Sequence, residues 1–312
     1  MNLLAIAAKA VAFRIAATER IRVSTGGTDV HLVLVDLREF PPRHGPTPAR
    51  SSGMIIAVLV KYVPDATGAR TFTAADSTVD RGGAGLLSEL DEYAVEQAIL
   101  VTEANGGEVV AITVGAAEAA EALKKALQMG ADRAVHILDD ALHGSDAPAT
   151  SLAIAETITK LGNVELIITG MASTDAAMSV VPAMVAERLG LPHIGSVVEF
   201  SQADGQATAR RDVGAATETV TAALPAVISV TDQSGEPRYP SFKGIMAAKK
   251  KQVDTWGLAD LGVAPDAVGL SNAWTSVVAI TRQPPRAKGE IVTDSGGGAA
   301  QLTRFLTSHQ FI

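Results

Sequence analysis

The sequence predicts a doubly wound α/β protein with a mostly parallel sheet, antiparallel edge strands and a Rossmann-like, adenine-nucleotide-binding character. Three observations carry this. From Met54 onward, short apolar runs of strand length alternate four times with segments of helical spacing. The connections between them are short and rich in glycine, as right-handed βαβ units require. Hydrophobic residues make up 47% of the 312 and charged ones 19%, which is the composition of a folded core and far from that of a disordered chain.

The elements follow in order. Met54 to Val60 is a continuous apolar run, as expected of a strand buried on both faces. Leu90, Ala94, Ala98 and Val101 have helical spacing over Leu90 to Thr102, and Gly106-Gly107 ends that helix. Glu108 to Val114 is a second buried strand, Ala116 to Met129 a helix closed by Gly130, and Asp132 to Leu138 a third strand. Thr150 to Leu161 is a helix closed by Gly162, Val164 to Thr169 a fourth strand, and Asp175 to Leu189 a helix stopped by Gly190. After Pro192 the rhythm changes. Ser196 to Phe200, Thr208 to Asp212, Glu218 to Ala222 and Ala226 to Val230 are short β-rich runs, predicted as antiparallel additions at one sheet edge. Beyond Gly262 order signals thin out, with Pro284-Pro285 and Gly296-Gly297-Gly298 before a short amphipathic stretch, Ala300 to Leu306. Residues 263–312 therefore read as an arm laid across a neighbour, and 54–262 as the α/β domain.

Residues 1–53 stand apart. They hold seven basic and four acidic residues, net +3, which leaves 19 basic and 30 acidic, net −11, for 54–312. Pro41 to Pro48 has the proline density of a linker. Leu3 to Phe13 is interrupted by Lys9 and followed by no evident cleavage site, and the acidic residues count against a transit peptide. The segment is expected to be a disordered extension or a misassigned start, with Met54 as the initiator.

Composition excludes several functions. The overall charge of −8 works against general binding to nucleic acid or anionic membranes. The absence of cysteine removes disulfides, thiolate metal sites, iron–sulfur clusters and cysteine nucleophiles. No uncharged run of 18 or more apolar residues occurs, so no membrane insertion is expected. The six histidines are scattered without ligand spacing and are expected at surfaces and turns, so no metal site is expected. There is no Walker A sequence, no complete G-x-G-x-x-G and no G-x-S-x-G elbow. What remains is a binding scaffold with no catalytic residue of its own.

In open α/β sheets ligands sit beyond the carboxyl ends of the strands, where strand order reverses. That selects Lys61 to Asp65, Val114 to Ala116 and Gly170 to Val181. In the last, Gly170 is followed by Ser173-Thr174-Asp175, which offers N-cap groups for the next helix and hence a phosphate cradle. Nearly every βα turn has a glycine and a cap, so the pattern alone favours an ordinary turn over a nucleotide site. A second segment is Asp232 to Lys251. Tyr239, Phe242 and Met246 fall within eight residues of a chain with twelve aromatics, followed by Lys249-Lys250-Lys251. The lysines suit a solvated helix C-terminus, and the set also has the composition of a docking loop.

Several stretches resemble a known family: Val58-Leu-Val-Lys-Tyr-Val-Pro-Asp65, Leu127-Gln-Met-Gly-Ala-Asp-Arg133, Leu224-Pro-Ala-Val227, Glu236-Pro-Arg-Tyr239, Ile245-Met-Ala-Ala-Lys-Lys-Lys251 and Asp260-Leu-Gly262. In order and content they are similar to the electron transfer flavoprotein β subunit, from Met54 to the C-terminus. The resemblance implies an electron carrier in fatty acid β-oxidation, cytoplasmic in a bacterium or in the mitochondrial matrix of a eukaryote. The subunit would pair with an α subunit that holds most of a shared FAD, against which the C-terminal arm packs, and would itself bind a structural AMP.

By position, the AMP contacts implied are Leu59, Ser88-Glu89-Leu90-Asp91, Val114 and Gly170-Met171-Ala172-Ser173-Thr174-Asp175-Ala176-Ala177-Met178-Ser179-Val180-Val181. Many family members have an Asn-Pro-aromatic run at Ser88 to Leu90 and an acidic, Asn/Gln-rich loop at Ala176 to Val181. These departures bear on side-chain contacts rather than backbone ones. The resemblance also implies that loop 232–251 docks acyl-CoA dehydrogenases through Glu236, Pro237, Arg238, Tyr239, Phe242, Ile245, Met246, Lys249 and Lys250, with Phe242 as the apolar anchor. Asp212 would face the mobile flavin domain. Electrons would leave for electron transfer flavoprotein quinone oxidoreductase at the membrane. Two alternatives accompany this: a bifurcating flavoprotein with a second FAD that reacts with NADH, and a nucleotide-sensing domain of the universal-stress-protein type, which lacks the lysine-ended loop and the tail.

Overall fold

A computed structural model describes residues 18–25, 28–35, 53–68, 71–281, 284, 289 and 291–312. Most of the 1–53 extension thus lies outside the described residues. Within it, strands β1 (Thr18–Thr25) and β2 (Thr28–Val35) pair as an antiparallel hairpin. The chain divides into two units, Met1–Ser276 and Val277–Ile312.

The first unit is built on a nine-stranded sheet. In chain order its main elements are β3 (Ile55–Leu59), the short ribbon β4 (Tyr62–Pro64) and β5 (Gly85–Leu87), α1 (Glu89–Asn105), β6 (Glu108–Val114), α2 (Ala120–Met129), β7 (Arg133–Ile137), α3 (Ala147–Leu161), β8 (Val164–Gly170), α4 (Val181–Leu189), β9 (His193–Ala203), β10 (Gln206–Asp212), β11 (Thr217–Ala223), β12 (Ala226–Val230), α5 (Phe242–Ala248), β13 (Val253–Trp256) and α6 (Leu258–Leu261). The sheet order is β11-β10-β9-β12-β8-β3-β6-β7-β13, parallel from β9 to β13 and antiparallel at β9-β10-β11.

The apolar strand runs bury both faces. Ile56, Val58 and Val60 pack with α1 and α2, while Ala57 and Leu59 pack on the opposite face with α3, α4 and α6. Each fully buried Ile, Leu or Val stabilises the fold by about 1.5–3 kcal/mol relative to exposure, so the central strands hold most of the apolar free energy. Chain order reverses beside β3: β6 and β7 lie on one side of it, β8 and β12 on the other.

Three expectations change, and one strand is added. Ala226–Val230 is a central parallel strand between β8 and β9, not an edge addition. The helix expected from Asp175 begins only at Val181, because Ala177 and Ser179 take left-handed backbone (φ 51° and 57°) and Pro182 fits only the first turn. β13 is an added parallel edge strand whose exposure alternates, so no apolar run marks it. His136, expected at a surface or turn, is a buried β7 residue whose Nε2 donates to the Gly115 carbonyl at 3.0 Å.

Residues 263–276 stay on the α/β body. Val263 and Val268 are buried in its core, and the Leu270 N–H donates to the His143 carbonyl. In the second unit, α7 (Gly298–Ser308) leaves Leu302 and Phe305 exposed, with Phe305, His309 and Phe311 in contact with one another. No helix among the described residues is long and apolar enough to cross a membrane.

Candidate nucleotide site and docking loop

The crevice at the carboxyl ends of β3 and β8 is closed by backbone and buried side chains. Ser88, fully buried ahead of α1, donates its N–H to the Lys61 carbonyl at 2.9 Å, and its Oγ accepts the Thr174 N–H at 3.2 Å. Asp91, in the first turn of α1, accepts the Lys61 N–H at 2.8 Å and also the Gly170 N–H. One carboxylate therefore ties the β3 loop to the β8 loop. Burial pushes its carboxyl up to about 7, in spite of the opposing Lys61 and Gly170 donors. Gly170 is the close approach that permits this: a Cβ there would lie 2.6 Å from Asp91 Oδ1 and 2.9 Å from the Leu90 carbonyl.

The loop after Gly170 is irregular. Met171 donates its N–H to the Val230 carbonyl and Ala177 to the Ser173 carbonyl. Asp175, expected as a helix cap, instead accepts Lys61 Nζ at 2.8 Å and Arg81 at 2.6 Å. Burial pushes its carboxyl up, and the charge and donors of Lys61, Ser173 and Arg81 more than offset this, holding it well below the usual carboxylate range. Arg81 also donates to the Tyr62 carbonyl, so the segment between β4 and β5 is fastened to the crevice. Ala172 is half-buried, and Ala176, Ala177, Met178 and Ser179 are exposed. Val180 supplies no side-chain cap to α4, and Pro182 in its first turn has no N–H to be capped. On neighbouring strands, Leu59 is buried, Val114 half-buried, and the Thr113 hydroxyl is buried without a partner. The expected contacts Leu59, Ser88–Asp91, Val114 and Gly170–Val181 thus converge at one sheet edge around the reversal point; Glu89 is exposed and Leu90 half-buried there.

Loop 232–251 is a separate surface. Ser241 caps α5, its Oγ accepting the Gly244 N–H at 3.0 Å. Tyr239 is 91% and Phe242 81% exposed, with Ile245, Met246, Lys249 and Lys250 exposed beside them. Glu236 is exposed and Pro237 half-buried. Arg238 differs: its guanidinium is engaged by Glu96 and Glu103 of α1. Lys251 also turns inward, its Nζ donating to the Leu127 and Ala131 carbonyls at 3.0 and 2.6 Å and so capping α2 rather than its own helix. Asp212, at the end of β10, is exposed, accepts the Thr217 hydroxyl at 2.8 Å and lies 3.7 Å from Arg210.

Residue-by-residue reading missed Arg81, Glu96 and Glu103, and it selected the loop that begins at Lys61 without foreseeing the pairing of Lys61 with Asp175. The seven-residue spacing of Glu96 and Glu103 marks a single α1 face, whereas Arg81 has no local signal because its partner lies 94 residues away. Among the described residues no cluster of three or more His, Asp or Glu is placed to hold a metal ion.

The model of the family described as electron transfer flavoprotein domain matches residues 76–261. Curated relatives named electron transfer flavoprotein subunit beta match from Mycobacterium bovis, 45% identical over 263 residues (82% of this chain, 99% of the relative), and Mycobacterium leprae, 44% identical with the same coverage. A relative from Acetobacterium woodii, named caffeyl-CoA reductase-Etf complex subunit CarD, is 31% identical over 241 residues, covering 77% of this chain and 92% of its own length.

Proposed function

Since the chain belongs to the electron transfer flavoprotein family as a β subunit, we propose that it binds a structural AMP in the crevice at β3 and β8 and docks acyl-CoA dehydrogenases through loop 232–251. It is an electron-carrier subunit rather than a catalytic enzyme, and its family role is with an α subunit in a flavoprotein that carries FAD. The flavin, when bound, supplies the electron-accepting and electron-donating chemistry. This chain's residues shape the complex around it.

The observation that supports AMP is the convergence of Ser88–Asp91, Leu59 and the Gly170–Val181 loop where strand order reverses. The donor set fits an adenylate: the uncapped start of α4 suits a phosphate, and the unpartnered Thr113 hydroxyl is a polar group available beside Val114. The exposed 176–179 segment carries no cation, so phosphate contacts there would be made by backbone N–H groups. Exposed Phe242, with Tyr239, Ile245, Met246, Lys249 and Lys250 around it, supports docking through one apolar anchor. Asp212 is exposed at the end of β10, where it would meet the flavin-bearing domain, and electrons would pass on to a membrane quinone oxidoreductase.

The relative that belongs to a reductase complex supports a second reading, in which a second FAD occupies the crevice and reacts with NADH. Acid extraction of the purified heterodimer followed by chromatography decides between them. One AMP and one FAD per heterodimer is expected. Two FAD would establish the second reading, and no nucleotide beyond a single FAD would refute both.

A further inference from the structure

We infer that Arg238 is a positioning residue: it holds the docking loop in a preformed shape and does not itself touch the partner. The inference rests on the reading of 232–251 as a docking loop. Arg238 directly precedes Tyr239 and lies four residues ahead of Phe242, the two aromatics of the loop, both highly exposed. Its Nε and one terminal nitrogen form a two-point fork on the Glu96 carboxylate, at 2.7 and 2.9 Å, and its backbone N–H donates to the same carboxylate at 3.0 Å. The terminal nitrogens also reach Glu103, at 2.7 and 3.1 Å. Four of the guanidinium's hydrogen bonds are therefore made within the chain, which leaves few donors for anything else.

Glu96 is buried and Arg238 only a third exposed, so the Arg238–Glu96 fork is less screened by solvent and salt than an ordinary surface ion pair, whereas Glu103 is half exposed. A planar guanidinium is needed, because a lysine ammonium cannot reproduce the fork. Two further ties hold the segment: Gln97 Nε2 donates to the Ser234 carbonyl at 2.6 Å, and Lys251 binds the carbonyls at the end of α2. The backbone is thus fastened on both sides of Tyr239 and Phe242 while their side chains remain free. Ordering the loop is then a cost met during folding, not on association, and the partner sees a rigid anchor.

The test uses the full α/β heterodimer as electron acceptor for an acyl-CoA dehydrogenase that reduces the wild type, reading KM and kcat for the heterodimer and amide hydrogen exchange across 234–248. Arg238→Gln is expected to raise KM about tenfold, to leave kcat within about twofold, and to speed exchange in 234–248. Arg238→Lys recovers only part of the loss. Glu103→Gln removes one arm without leaving a buried charge unpaired, and raises KM by roughly two- to threefold; it decides the matter if Arg238→Gln does not fold. Wild-type KM and exchange in both the Gln variants, with KM raised in Phe242→Ala, would overturn the positioning role and leave the docking loop standing. A raised KM with unchanged exchange would mean that Arg238 touches the partner, and would also overturn it. If Phe242→Ala leaves KM unchanged as well, the docking loop itself falls and the inference with it.

Discussion

Gly170→Ala tests the packing that brings the nucleotide loops together. A Cβ at 170 falls 2.6 Å from Asp91 Oδ1 and 2.9 Å from the carbonyl carbon and oxygen of Leu90. Comfortable carbon contacts lie at about 3.5–4.0 Å, so the first turn of α1 would have to retreat by roughly 0.5–1 Å. It cannot do so freely. Leu90 contributes backbone, and the Asp91 carboxylate is held by the Lys61 N–H at 2.8 Å. Overpacking of this kind costs about 1–3 kcal/mol. In a domain of this size each kcal/mol lowers the melting temperature by about 2–4 °C, so a fall of roughly 2–12 °C is expected. Because the displaced turn is Ser88–Asp91, nucleotide content should fall with it. The assay is thermal unfolding of the purified heterodimer together with its extracted nucleotide, with Gly83→Ala as control, since nothing lies within 4 Å of a Cβ at 83. Melting and nucleotide content equal to those of the control would refute the close approach.

Two further outcomes follow from the same geometry. The Asp91 carboxyl is raised from its ordinary value to about 7, so the folded chain retains a proton there that the unfolded chain releases near pH 4. Its contribution to stability is therefore fullest below about pH 4, declines as pH rises toward 7, and is level above. Asp91→Asn should accordingly cost less at pH 8 than at pH 5, by on the order of 2 kcal/mol, in denaturant titrations at the two pH values; an equal cost at both would contradict the buried carboxyl. Phe242→Ala should leave the melting temperature unchanged, because the ring is 81% exposed. The same change should weaken transfer from the dehydrogenase at least about tenfold, since burying a Phe is worth about 1.5–3 kcal/mol.

Legibility followed locality. Glu108–Val114 and Ala226–Val230 have the bounds that their apolar runs predict, because a strand buried on both faces needs nothing but an unbroken run. The neighbours of Ala226–Val230 were another matter. All five residues are buried, which is the mark of a central strand, yet its place after three alternating strands suggested an edge. The start of α4 was misplaced for a related reason. Ser173, Thr174 and Asp175 are good capping residues, but Ser173 and Asp175 are engaged with Lys61, and Thr174 N–H with Ser88, across the crevice. Tertiary partners outweighed the local preference.

From the sequence alone came the βα rhythm, the loops at the strand ends, the lysine-ended segment and the family resemblance, since each depends on residues adjacent or evenly spaced along the chain. Only the tertiary structure decided that Asp175 is a latch for Lys61 and Arg81, that Arg238 grips Glu96 and Glu103 some 140 residues earlier, and that Lys251 closes α2. These are ion pairs and hydrogen bonds between distant segments. Their strength depends on burial and on a few tenths of an ångström, and neither quantity exists until the sheet has brought the segments together.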